Sequence, residues 1–278
     1  MKIVSAIDFG RETLSMSDSA ESDARALLAH TLQADISYLL AHDDELISNQ
    51  LLDVYFEFVA RAEQYEPLPY IFGSAAFRYL DLYVTPAVLI PRPETEQLVD
   101  EVRKWSRGRS NLALVDVGTG SGCIAISLAT EMKNARVSAV DISADALAIA
   151  QQNADENKAD ITFYQGSLLE PVDGLFDAIV ANLPYITDDE MLDLPPSVNQ
   201  YEPYIALHGG KDGLSLIHML LEEAKAHLRP YGAIFLEIGY RQGPLATQLA
   251  QNIFPKATVS CLEDYAGHDR FIIIKMNQ

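Results

Sequence analysis

The chain has 278 residues, 49% of them hydrophobic and 22% charged, with a formal net charge of −20 at pH 7. That balance excludes a disordered chain and suits one large folded body with a smaller companion. It also argues against a nucleic-acid binder, which would carry a basic stripe, since the densest basic stretch, Arg103, Lys104, Arg107 and Arg109, stands beside Asp100 and Glu101. A basic protein partner suits the charge better, and plain solubility explains it equally well. The cysteines, Cys123 and Cys261, form no CxxC pair, so neither a zinc site nor a disulfide framework is expected, and no metal. The opening MKIVSAIDFGRETL has no apolar run of signal-peptide length, and no later stretch approaches the ~20 apolar residues of a span. The expectation is a cytoplasmic, reduced protein without membrane contact.

In chain order, residues 1–74 read as a small helical domain. Ala24, Leu27, Leu28, Thr31 and Leu32 recur at helical spacing after a candidate cap, Ser22. Leu51, Leu52, Tyr55, Phe56, Phe58 and Val59 repeat the pattern, and the segment is rich in acidic residues from Asp18 to Glu66. Pro67 and Pro69 close it. Residues 75–92 read as a hairpin or extended linker, in which FRYLDLYVT (77–85) alternates like a strand. PETEQLVDEVRKW (93–105) then restarts a helix with proline in its first turn.

Residues 93–278 alternate short apolar strands with helices. The strands are LALVDV (112–117), RVSAVD (136–141), ITFYQ, FDAIVAN (176–182), AIFLEIG (233–239) and FIIIK (271–275). Between them lie a helix from near Ser121 to about Met132, another after the cap Ser143, and GLSLIHMLLEEAKAHL (213–228). Such alternation predicts an α/β domain with a mostly parallel sheet covered on both faces.

VDVGTGSGC (115–123) sits where a doubly wound sheet binds its ligand, outside the carboxyl end of the first strand. Gly118, Gly120 and Gly122, with Thr119 and Ser121 between them, let backbone approach a ligand and permit positive φ. Asp141, ending the second strand, is placed to accept from both ribose hydroxyls of an adenosine. A dinucleotide fingerprint would need glycine at 123, where Cys123 stands. The spacing G-x-G-x-G with Asp116 two residues upstream is instead that of S-adenosylmethionine enzymes, with Asp116 shaping the methionine end.

ANLPYI (181–186) follows the strand FDAIV and is similar to the Asn-Pro-Pro-Tyr signature of enzymes that methylate planar amine or amide nitrogens. An amide nitrogen is a poor nucleophile because its lone pair is delocalised. The side-chain oxygen of Asn182 can accept one target N–H and the backbone carbonyl of Leu183 the other, which orients the nitrogen and favours its developing positive charge. Pro184 and Tyr185 complete the motif, and the Tyr185 ring offers a face for a planar group. Leu183 replaces the signature's first proline; its carbonyl keeps the acceptor role, while Asn182 loses the restriction a following proline imposes and the N–H of 183 needs a partner.

Along nearly its whole length the chain resembles the release factor glutamine methyltransferases (the PrmC/HemK family). The resemblance is carried by EPLPYIFGSAAFRYLDLYVTPAVLIPRPETEQLV (66–99), VDVGTGSGCIAISLA (115–129), FDAIVANLPYI (176–186), YEPYIALHGGKDGL (201–214) and FLEIGYRQG (235–243). It implies a Rossmann-like class I methyltransferase domain with a seven-stranded sheet. The implied reaction is methyl transfer from S-adenosylmethionine to the glutamine of the Gly-Gly-Gln loop of peptide chain release factors, with residues 1–74 helping to dock that substrate. The glycine loop would hold the methionine moiety and Asp141 the ribose. Ser167 and Leu168 fall where the family contacts adenine, without its usual acidic and aromatic residues. Asn182 to Tyr185 would grip the glutamine. Three alternatives stay open: a glutamine methyltransferase of a ribosomal protein, an adenine-N6 DNA methyltransferase in which Tyr185 stacks on a flipped base, and a non-catalytic binding module. His218 reads as a partly buried helix residue and His208 as part of a loop, 186–212, that could cover the substrate.

Overall fold

Leu52, Tyr55 and Val59 lie three and four residues apart, so a helix places them on one stripe, and all three are buried. They belong to α4 (Asn49–Glu63), which packs with α1 (Ile3–Thr13), α2 (Ala20–Leu32) and α5 (Leu68–Phe72), while α3 (Ile36–Ala41) packs on α2. The hydroxyl of fully buried Tyr55 lies 3.0 Å from the carbonyl oxygen of Ala6 and 3.4 Å from that of Ala24, tying α4 to α1 and α2. The side chains of Asp35 and Ser48 cap α3 and α4 by accepting from the N–H groups of Tyr38 and Leu51. Ser22 is no cap: α2 already begins at Ala20, and Ser19 precedes it. This computed structural model describes residues 1–277, and the chain divides into two units. The helical unit is Met1–Gly73 joined by Pro195–Tyr201; the other holds Ser74–Leu194 and the chain from Glu202 onward. The short return segment is held in the helical unit by the Tyr201 hydroxyl, which donates to the carbonyl of Gln64.

The second unit opens with a hairpin, β1 (Ser74–Phe77) antiparallel to β2 (Leu80–Tyr83), at the start of the stretch expected to be a hairpin or extended linker, and the strand-like alternation of 77–85 spans its turn. Arg78 turns the chain at φ 54. Its side chain bonds Glu131 and the carbonyl of Glu96 and pairs with Asp100, fixing the hairpin to neighbouring helices. The elements that follow are α6 (Thr95–Ser106), β3 (Ala113–Val117), α7 (Cys123–Glu131), β4 (Arg136–Asp141), α8 (Ala144–Glu156), β5 (Ile161–Gln165) and β6 (Phe176–Ala181). Next come β7 (Ile186–Thr187), α9 (Pro196–Asn199, in the helical unit), β8 (His208–Gly210), α10 (Ser215–His227) and β9 (Leu228–Glu237). The chain closes with α11 (Gly243–Ile253), β10 (Thr258–Glu263) and β11 (Asp269–Lys275).

Seven strands form one sheet in the order β10-β11-β9-β6-β3-β4-β5. β9, β6, β3, β4 and β5 run parallel, and β11 is antiparallel to both of its neighbours. Two apolar clusters cover its faces. One gathers Val115, Ile179, Ile234 and Ile272 with α10 and α11, the other Leu114, Val180, Phe235 and Ile273 with α6 and α7. Burying each side chain of this size contributes roughly 1.5–3 kcal/mol. Strand order reverses beside β3, and such a switch point opens a crevice at the carboxyl ends of β3 and β6. The sheet thereby brings both sequence motifs to one place.

Candidate active site

The loop after β3 keeps all three glycines at positive φ: 75 at Gly118, 56 at Gly120 and 84 at Gly122. At Gly122 strain and space both oppose a side chain, because a Cβ there would stand 2.9 Å from Ile126 Cδ1 and 3.3 Å from Ala150 Cβ. α7 starts at Cys123, two residues later than the sequence suggested, since Gly122 in the left-handed region serves as its cap. The amides of Gly118 and Thr119 both donate to the carbonyl of Val140, pinning the loop over the end of β4.

Beneath the loop, fully buried Asp116 accepts from the Thr119 hydroxyl at 2.6 Å and the Ala125 amide at 3.2 Å. Its other oxygen, Oδ1, is buried with no hydrogen-bond partner. Asp141 accepts from Gly120 N through Oδ2 at 2.8 Å and from Ser143 N through Oδ1 at 2.9 Å. A carboxylate has about four lone-pair sites, so two remain for further donors. Asn153, which the sequence reading left among ordinary helix residues, is fully buried. Its amide donates to the carbonyls of Ser121 and Tyr83 and accepts from Tyr83 N, clamping β2 to the glycine loop.

Gly118, Thr119, Gly120, Ser121, Asp141, Ser167 and Leu168 line one cavity of about 340 Å³ together with Asn182, Leu183 and Pro184. Asp116, Gly122 and Tyr185 do not line it: the first two support the loop, and Tyr185 lies half-buried with its hydroxyl 3.4 Å from Glu237 and its ring against Gly239. The Leu183 side chain is buried and packs onto the loop, where a Cβ on Gly118 would be 2.9 Å from its Cδ2. It therefore braces the floor by packing, in the place where the signature's proline would restrict the backbone.

Gln242 holds the Asn-Leu-Pro-Tyr segment from behind by donating to the carbonyls of Tyr185 (2.8 Å) and Asp212 (3.2 Å). Its oxygen accepts from Gly239 N. The carboxylate of Glu202 accepts from Ile90 N and from Arg92, which anchors the Ile-Pro-Arg-Pro stretch at the cavity edge. These contacts give a physical reason for the segments 201–214 and 235–243, whose roles sequence alone left blank. His208 Nε2 lies 2.6 Å from Asp188 Oδ1, which accepts its proton in a hydrogen bond, and His218 is exposed rather than partly buried.

The donor set fits an adenosyl sulfonium better than a dinucleotide. Gly120 opens onto free space, since a Cβ there meets nothing within 4 Å, and Asp141 retains acceptor capacity at the end of β4. Among the residues lining the cavity, Arg92 is the one cation, and Glu202 already pairs it, so no free cation awaits a pyrophosphate. Among the described residues no cluster of His, Cys, Asp and Glu could hold a metal, and no helix is long and apolar enough to cross a membrane.

Burial pushes the Asp116 carboxyl up to about 7 against the partly offsetting bonds from Thr119 and Ala125. It does the same to Glu237, also to about 7, opposed by Thr95 and the Arg270 charge. Both folded values are raised, so the stability they contribute is present below the unfolded carboxylate range and lost as pH rises through about 7. The unliganded protein is therefore expected to lose on the order of 1 kcal/mol per carboxyl between pH 6 and pH 8. Urea unfolding at the two pH values checks this: Glu237→Gln should shrink the difference by about half, and an unchanged difference would refute the assignment.

Fold and cavity together define a methyltransferase: residues 95–194 match the methyltransferase small domain family and residues 5–73 the PrmC N-terminal domain. The chain is 43% identical over 231 residues to the release factor glutamine methyltransferase of Lactococcus lactis, spanning 83% of this chain and 85% of that one. It is 37% identical to the enzyme of the same name from Bacillus subtilis, over 97% and 96% of the two chains, and 34% identical to that of Bacillus cereus, over 99% and 100%. The chain belongs to the release factor glutamine methyltransferase family. In fold it is similar to a methyltransferase from Pyrococcus furiosus, with TM-score 0.56 and 20% identity over 73% of this chain and 92% of that one.

Proposed function

We propose that this chain transfers the methyl group of S-adenosylmethionine to the side-chain amide nitrogen (N5) of the glutamine in the Gly-Gly-Gln motif of peptide chain release factors. The observation that carries the reading is one cavity lined on one side by the glycine loop and Asp141 and on the other by Asn182, Leu183 and Pro184. Bound S-adenosylmethionine supplies an electrophilic methyl group on a sulfonium. Gly118 to Ser121 cradle its methionine end over the support of Asp116 and Gly122, Asp141 accepts from the ribose, and Ser167 and Leu168 border the base.

Asn182 Oδ1 and the Leu183 carbonyl each accept one N–H of the target amide. Two fixed acceptors hold the nitrogen in line with the methyl donor and stabilise the positive charge that grows on it. Tyr185 stands outside the cavity lining, where its hydroxyl near Glu237 and its ring against Gly239 brace the segment that carries the two acceptors. Bound cofactor and substrate would displace water from the cavity, which strengthens both hydrogen bonds. In this reading residues 1–74 contact the release factor, and their acidic surface suits a basic partner. The partner is a protein, and no direct nucleic-acid contact is expected.

Mass-spectrometric mapping after incubation with S-adenosylmethionine and unmethylated release factor tests the proposal. A single added methyl on the Gly-Gly-Gln glutamine is the expected result. Cofactor binding without that product would move the substrate to another protein, such as a ribosomal protein, or leave a silent module.

A further inference from the structure

Asn182 can act as an acceptor only if the oxygen end of its amide faces the cavity. The two ends of an amide have nearly the same shape, so hydrogen-bond partners alone decide which way it points. Asn182 lies 3.1 Å from the hydroxyl of Thr95, which in turn lies 2.7 Å from Glu237 Oε2. Thr95 and Glu237 are each only 1% exposed, so bulk water is no substitute partner for either.

A threonine hydroxyl has one proton and two lone pairs. At pH 8, above the value near 7 to which burial pushes it, Glu237 is ionised and offers only acceptors, so the Thr95 proton goes to Glu237 and the lone pairs are left facing Asn182. Asn182 must then present its nitrogen to Thr95, and its oxygen is the end left for the cavity. The opposite orientation would set two acceptors against each other in a buried site, which costs about 1–3 kcal/mol.

We infer that Thr95 and Glu237 are positioning residues that fix the direction of the Asn182 amide, Thr95 from the start of α6 and Glu237 from the end of β9. The inference rests on the proposed amide methylation, for which an oxygen facing the substrate is required. It also accounts for a buried carboxylate at the end of an otherwise apolar stretch of β9, where a hydrophobic residue of equal size would cost less to bury. Tyr185, 3.4 Å from Glu237 Oε1, occupies the remaining side of the same carboxylate.

The test is a double-mutant cycle at pH 8, with cofactor and release factor saturating. Thr95→Val keeps the shape and removes the hydroxyl, and it is expected to lower kcat about tenfold. Cofactor Kd and the KM for release factor should stay within about twofold, and Thr95→Ser should restore most of the rate. In an Asn182→Ala background, followed by single turnover with enzyme in excess, Thr95→Val should change the rate no further. Glu237→Gln can donate from its amide into Thr95 and turn the chain of bonds around, so it should also lower kcat, with no added loss when combined with Thr95→Val. A wild-type kcat for Thr95→Val would overturn the inference, as would a tenfold loss that persists without Asn182. A wild-type enzyme that binds cofactor but does not methylate the release factor sinks the proposed function itself, and this inference falls with it.

Discussion

Asn182→Ala is expected to lower kcat for release factor methylation by about 10²–10³-fold while S-adenosylmethionine Kd stays within about threefold. The size follows from what one preorganised hydrogen-bonding group aimed at developing charge is worth in a water-excluded site. The selectivity follows from the geometry. The bonds that shape the glycine loop come from Asp116, Asp141, Asn153 and the carbonyl of Val140, and Asn182 takes part in none of them. An interaction formed only as the nitrogen gains charge is lost from kcat and not from binding. Steady-state kinetics on the variant, with Kd from calorimetry, decides the matter: a rate within threefold of wild type removes Asn182 from the acceptor role. A matched loss of cofactor affinity would make it a structural residue.

Asp141→Ala should raise the Kd of S-adenosylmethionine about 100-fold, with kcat largely recovered at saturating cofactor. Hydrogen bonds to a charged acceptor are worth roughly 1.5–3 kcal/mol each, so the bonds from the two ribose hydroxyls cover the roughly 2.8 kcal/mol of that factor. The carboxylate also braces the loop through Gly120 and caps the turn at Ser143, so part of the loss is preorganisation of the loop. Asp141→Asn separates the contributions, because it keeps one oxygen acceptor and replaces the other with a donor. Its Kd is expected near tenfold above wild type. Isothermal titration measures both, and an Asp141→Ala Kd within threefold of wild type would remove the ribose role.

Much of this protein is legible in its sequence because its signals are local. The glycine loop must follow a strand and open a helix at fixed spacing, so VDVGTGSGC declares both its conformation and its position. Asn182 to Tyr185 are contiguous, and an apolar strand that ends on them leaves little freedom for where they sit. Short apolar strands alternating with helices leave few arrangements beyond a mostly parallel sheet covered on both faces. Even Leu183 was readable as a departure, although its packing on Gly118 was not.

Only the tertiary structure decided which polar residues serve the site. Thr95 meets Glu237 across 142 positions, Asn153 meets Tyr83 across 70, and Gln242 meets Tyr185 across 57. A sequence shows that such a residue can donate or accept, but not which distant group is brought within 3 Å of it. The half-exposed edge strand β10 and the helix α11 were equally silent, since weak alternation and a short stripe resemble surface loops until β11 and the sheet supply their partners. The chemistry was therefore written in adjacent residues. Its preorganisation came from pairs that only the folded chain brings together, because burial makes each unpaired polar group costly enough to select one partner.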